Sequence, residues 1–250
     1  MIPMKRRSSR LRRRLIAAAA TLASLAGIAA WLLLRTPGWY RTAARVEPDA
    51  QVVRDEIRDA AQAFSDALMV PGDFAVHLRD QQLNGWIERR AEIYPMLDQA
   101  LPPPWRRPVV RFRDGAIRLA ATYRGSTADI VFSLDLGVAM QPGAIVLTAD
   151  SARAGALPLP LGLLDRLLSH AIDLPPGRAW RGSPAMRGTL RDGLKIGTRA
   201  VWPNGARAYE VLNTEVRPGV LNISLRALGS AHATGSRIHS PDDDPFSDSR

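Results

Sequence analysis

The chain carries four histidines, the side chains best suited to move protons near neutral pH, and their spacing decides what they can do. His77, His170, His232 and His239 stand far apart or seven residues apart, so no pair has the spacing of an H-E-x-x-H zinc site. Ser169, His170 and Asp165 are the residue types of a nucleophile, base and acid, but adjacency of the serine and histidine in sequence does not define a triad geometry. Asp55 and Asp59 are one helical turn apart on a polar stripe, where solvated charge is the simpler account. The two Arg-Asp-Gly triplets, at 113–115 and 191–193, are turn chemistry, and the scattered glycines form no phosphate-binding loop. Cysteine is absent, which removes disulfides, thiolate nucleophiles and cysteine metal sites. No catalytic residue, no metal ligand set and no cofactor is therefore expected.

The stretch "GALPLPLGLLDRLLSHAI", residues 155–172, offers binding chemistry instead. On a helix starting at Leu161, one half of the wheel carries Leu161, Leu163, Leu164, Leu167, Leu168, Ala171 and Ile172, and the other carries Gly162, Asp165, Arg166, Ser169 and His170. Pro158 and Pro160 lack backbone donors, so the lead-in is not a regular central strand and Pro160 falls near the first helical turn. Such a wide leucine face either closes a core or meets an apolar ligand. Leu157, Leu159, Leu161, Leu163, Leu164, Leu167, Leu168 and Ile172 are the candidate apolar ligand-binding residues.

A second apolar run, Leu15 to Leu34, contains no charge, and at about 1.5 Å per helical residue it reaches roughly 30 Å, the thickness of a bilayer's hydrocarbon core. It is longer than the apolar region of a cleavable signal and ends in Trp31-Leu-Leu-Leu34 followed by Arg35, with no small-residue cleavage site. Lys5, Arg6, Arg7, Arg10, Arg12, Arg13 and Arg14 precede it, so an uncleaved anchor is expected, with the N-terminus cytoplasmic and residues 36–250 outside. Trp31, Trp39 and Tyr40 suit the outer interface. The formal net charge of +10 is thus concentrated beside an apolar segment, where cytoplasmic retention explains it and a nucleic-acid partner is not implied.

The rest of the chain supplies the elements that position these segments. Residues 48–69 read as an amphipathic helix with Val53, Ile57, Ala60, Ala61, Phe64 and Leu68 on one face, broken at Pro71-Gly72. Phe74, Val76 and Leu78 alternate with Ala75 and His77 as in a half-buried strand, which turns His77 to solvent. Asp80 is placed to cap a second helix carrying Leu83, Trp86 and Ile87 and running to about Pro95. Val110 and Phe112, then Ile117, Leu119 and Ala121, flank Asp114-Gly115 as a hairpin. Further strands are expected at about 127–139, 144–153, 194–202, 206–216 and 220–228, joined as a meander, before a polar tail from Gly229.

In this layout the chain resembles the YpmS-like family of bacterial single-pass membrane proteins. The resemblance covers about residues 15–228 and rests on the anchor, the strand and helix "FAVHLRDQQLNGWI" with its Leu83-Asn84 pair, the hairpins, and the Gly155 to Pro158 lead-in. More distantly the layout is similar to tubular lipid-binding domains, in which a curved antiparallel sheet wraps helices around an apolar groove. The resulting expectation is an α+β protein: a cytoplasmic basic segment (1–14), a transmembrane helix (15–34), a juxtamembrane linker (35–47), an extracytoplasmic domain (48–228) of curved hairpin-rich sheet packed with two or three helices, and an acidic tail (229–250). It would sit in the inner membrane of a bacterium and bind lipid or another apolar envelope molecule. The alternative is a module docking a protein partner in an envelope-assembly complex.

Overall fold

A computed structural model describes residues 7–45, 49–90, 104–162, 186–202 and 207–230. The uncharged run and the basic residues before it, from Arg7, form one continuous helix, α1 (Arg7–Leu34). With the turn beyond it, this stretch has a mean hydropathy of 2.0 in its most apolar window, which is not buried against the rest of the chain. It is the one helix among the described residues long and apolar enough to cross a membrane. Pro37 stops the helix and starts α2 (Gly38–Ala43), so the segment expected to be a linker contains an ordered turn of helix with Tyr40 buried.

The amphipathic helix is α3 (Ala50–Ala67), opened by Asp49, whose carboxylate accepts the Gln51 and Val52 N–H groups. Its outer face is laced by Gln51–Asp55, Gln62–Asp66 and Arg58–Asp55 contacts. Its inner face sets Phe64 edge-on to Phe74, Trp202 and Tyr209 at 4.8–5.7 Å between ring centres.

Phe64 thereby seats α3 on an antiparallel sheet of β1 (Gly72–Arg79), β9 (Arg199–Trp202), β10 (Arg207–Arg217) and β11 (Val220–Ser230), in the order β1-β11-β10-β9. A larger antiparallel sheet contains β2 (Trp105–Arg113), β3 (Ala116–Arg124), β4 (Asp129–Gln141), β5 (Ala144–Ala154), β8 (Leu194–Gly197) and β7 (Met186–Arg187) in that order, with β6 (Leu157–Leu159) paired to the far end of β5. The chain is α+β, as expected, but forms two sheets where one was anticipated. The single strand expected at 194–202 is likewise two strands. Its middle residue, buried Thr198, donates its N–H to Gly143 O in one sheet and accepts from Val211 N in the other, so the chain changes sheet there and the connection is not a simple meander.

The sheets lock together at their hairpin tips. Gly115 N–H donates to Val216 O and Gly219 N–H to Phe112 O, above a core of Val110, Phe112 and Val216 with Leu78, Leu83, Ile87, Ile117, Val138 and Leu221. The helix α4 (Asp80–Glu88) covers this core; Arg79, not Asp80, occupies its cap position, and no side chain caps it. Asn84 on α4 makes a paired contact with the edge strand, donating to Val110 O at 2.8 Å and accepting from Val110 N at 2.7 Å. A side-chain amide thus takes the place of a further strand on part of that edge.

Candidate functional site

Residues directly opposite one another in antiparallel strands point to the same face, so the registers of the larger sheet sort its side chains. One face carries Trp105, Tyr123 and Ile130 on one rung, Ala121, Phe132, Ala154 and Leu157 on the next of that face, and Leu119, Leu134, Ala152 and Leu159 on the third. All are apolar or aromatic. Farther along, the same face continues into buried Leu136 and into Phe112 and Ile117, which the smaller sheet and α4 help to cover. Exposure on these rungs is uneven: Leu119 is 37% and Tyr123 36% accessible, Leu157 and Leu159 are half-buried, and Ala152, Ala154 and Val110, which lies opposite Leu119, are buried. Trp105, Tyr123 and Phe132 stand edge-to-face in a mutual trio with ring centres 5.2–6.1 Å apart.

The opposite face of the same strands carries an apolar patch beneath α2 and, beyond it, a charged cluster. Tyr40 packs on Val109, Ala120 and Val131. Its hydroxyl donates to Arg107 O at 2.9 Å and meets Thr122 Oγ1 at 2.7 Å. That carbonyl is available because β2 bulges between Arg106 and Val109, with Arg107 in the left-handed region at φ 49°. Beyond Tyr40, Arg118 stacks on Trp39 and chelates Asp135, which also accepts from Ser151 Oγ at 2.8 Å and lies 3.9 Å from Arg113. Burial pushes the Asp135 carboxyl up, but the Arg118 and Ser151 hydrogen bonds and the two guanidinium charges outweigh it and hold it below the usual carboxylate range. This is a satisfied structural cluster.

The apolar face begins where α1 ends. Between β5 and β6 the chain turns at Gly155, φ +59°, which is buried. Gly155 N–H donates to Val131 O at 2.7 Å and Ala156 N–H to Leu32 O at 2.8 Å, satisfying a carbonyl in the last turn of α1. A Cβ on Gly155 would collide with the Leu32 and Leu33 carbonyl oxygens. The glycine is required by both its backbone angle and the closeness of the helix. The next residues, Leu157 and Leu159, step directly onto the apolar face.

Of the residues singled out from sequence, Leu157 and Leu159 share this face, and Leu161 is half-buried just past it. Leu163, Leu164, Leu167, Leu168 and Ile172 lie outside the described residues, as do His170, His232 and His239. His77 is exposed and contacts Asn222 through Nδ1. Sequence reasoning did not single out Trp105, Tyr123, Phe132 and Leu134. The signal was the alternation Phe132-Ser-Leu134-Asp-Leu136, which marks a face without saying what covers it. Comparison with family models, curated proteins and solved structures returns no match to this chain.

Proposed function

We propose that the chain is a single-pass protein of the bacterial cell envelope, anchored by α1 with its N-terminus in the cytoplasm, whose outer domain binds an acyl chain of a lipid or a similarly apolar envelope molecule. One observation carries this reading: the apolar face of the larger sheet starts at the turn hydrogen-bonded to the end of the helix apolar enough to span a membrane. An apolar molecule leaving the bilayer beside α1 meets Leu157, Phe132 and Tyr123 first and then Leu159, Leu134 and Leu119, without crossing a polar rung of that face. The chemistry asked of the site is contact alone, at roughly 25 cal/mol for each Å² of apolar surface removed from water. It accords with the resemblance to YpmS-like membrane proteins and tubular lipid-binding domains.

Native mass spectrometry of the full chain released from nanodiscs tests the proposal. Lipids around α1 are common to all variants, so the comparison is between the parent and Leu119→Gln, a change at a partly exposed position. Retained phospholipid should fall in the variant while the fold persists. Equal retention would count against lipid on this face, and retention of a co-purified protein in its place would favour the partner-docking alternative.

A further inference from the structure

The foot of the larger sheet is basic as well as aromatic. On the rungs nearest the end of α1, Arg106 lies opposite Thr122, Arg124 opposite Asp129, and Arg153 opposite both Ser133 and Pro158. All three arginines are exposed. The juxtamembrane segment adds exposed Arg35, Arg41 and Arg45 around the same level, because Tyr40 pins α2 to Thr122 and the bulge of β2. Among the described residues of this foot (35–45, 104–107, 121–133 and 152–159), Asp129 is the only carboxylate. In the Arg118–Asp135 cluster higher on the sheet, by comparison, a carboxylate is bound directly to the arginine.

Positive charge of this density has two features that identify its counterpart. It surrounds the exit of the apolar helix, and the other face of the same strand ends carries Trp105 and Tyr123, rings of the kind that settle at headgroup level. We infer that the foot of the larger sheet, built from Arg106, Arg124 and Arg153 with the β3–β4 tip, seats on the bilayer around α1 by engaging anionic phospholipid headgroups. This rests on α1 spanning the membrane, and it goes beyond apolar binding in specifying lipid charge. The domain would then be held with its apolar face open to the interface, because short-range attraction between arginines and anionic lipid acts within about 10 Å of the surface. The far end of β4, 13 residues long, would project roughly 40 Å away at about 3.3 Å per residue if the strand runs outward.

The absence of cysteine makes the test direct. Single cysteines at Ser24 in α1, Ser126 at the β3–β4 tip and Gln141 at the far end of β4 are each spin-labelled in the full chain. Their depth is then read by collision with oxygen and with a water-soluble nickel complex. Vesicles are of phosphatidylcholine alone or with added phosphatidylglycerol. Ser24 should lie at hydrocarbon depth in both, Gln141 in water in both, and Ser126 should move to headgroup depth when phosphatidylglycerol is present. Combining Arg106→Gln, Arg124→Gln and Arg153→Gln should return Ser126 to water without changing the melting temperature. A Ser126 label indifferent to lipid charge and to the arginines, with Ser24 still in hydrocarbon, would overturn the inference and leave the anchor standing. A Ser24 label in water would overturn both.

Discussion

Replacing Gly155 by alanine should uncouple the apolar helix from the sheet, and Gly143→Ala supplies the control that gives the result meaning. Both glycines occupy the left-handed region, at φ +59° and +73°, so either alanine costs roughly 1–2 kcal/mol for the backbone conformation alone. Gly143 has open space where a Cβ would be, whereas Gly155 would drive its Cβ into the Leu32 and Leu33 carbonyls. To relieve that collision the helix end must move, which breaks the Ala156 N–H to Leu32 O bond and strains the Gly155 N–H to Val131 O bond, 2.8 and 2.7 Å long. At about 0.5–1.5 kcal/mol for each, the additional loss is about 1–3 kcal/mol. Thermal unfolding of the full chain in detergent should show Gly155→Ala melting below Gly143→Ala by roughly 2–4 °C for each kcal/mol of that difference. Amide exchange at Ala156 should accelerate in the first variant only. Equal melting temperatures with unchanged protection at Ala156 would refute the docking of α1 on this turn.

Three further outcomes are expected. Asn84→Ala removes both hydrogen bonds to the Val110 backbone and leaves that half-buried pair partly unsatisfied, so about 1–3 kcal/mol should be lost, measurable as a lower denaturation midpoint; Asn84→Asp should not rescue it, because a carboxylate cannot donate to Val110 O. Asp135 is held below the usual carboxylate range in the fold, so its contribution is present above the unfolded pKa of about 3.9 and lost as pH falls through the lower folded value. A pH series of melting temperatures should therefore fall less steeply in acid for Asp135→Asn than for the parent, and parallel curves would contradict the assignment. Finally, a reporter enzyme active only after export, fused after Leu228, should be active, whereas neutralising the basic residues before Leu15 should scramble that orientation.

Much of the fold was legible because two periodicities were undisturbed. The spacing from Val53 to Leu68 and the alternation from Phe74 to Leu78 gave α3 and β1, and Asp114-Gly115, Pro142-Gly143 and Pro218-Gly219 placed hairpin turns where the registers close. The break at Thr198 was not legible, since Leu194 to Trp202 alternates through it and only the partners of its N–H and C=O reveal two sheets. Asp80 has the chemistry of a cap, but the helix starts one residue earlier, with Arg79 at the cap position and the Asp80 N–H donating to Gly219 O. Tyr40 has the character of an interfacial ring; its role against Thr122 depends on a contact 82 residues away that no local pattern encodes. The candidate site was half legible for the same reason. Leu157 and Leu159 stood out by composition, whereas the residues sharing their face come from β2, β3 and β4 and are united only by register.

Photo-crosslinking on the apolar face tests the lipid proposal most directly. A photoreactive phenylalanine analogue is placed at Leu134 or Leu159, on the apolar face, and at exposed His77 as a control, in the full chain within its native membrane. Phospholipid adducts are expected at the two leucine positions and none at His77. Adducts to protein alone, or lipid adducts no more frequent at Leu134 and Leu159 than at His77, would contradict the lipid proposal.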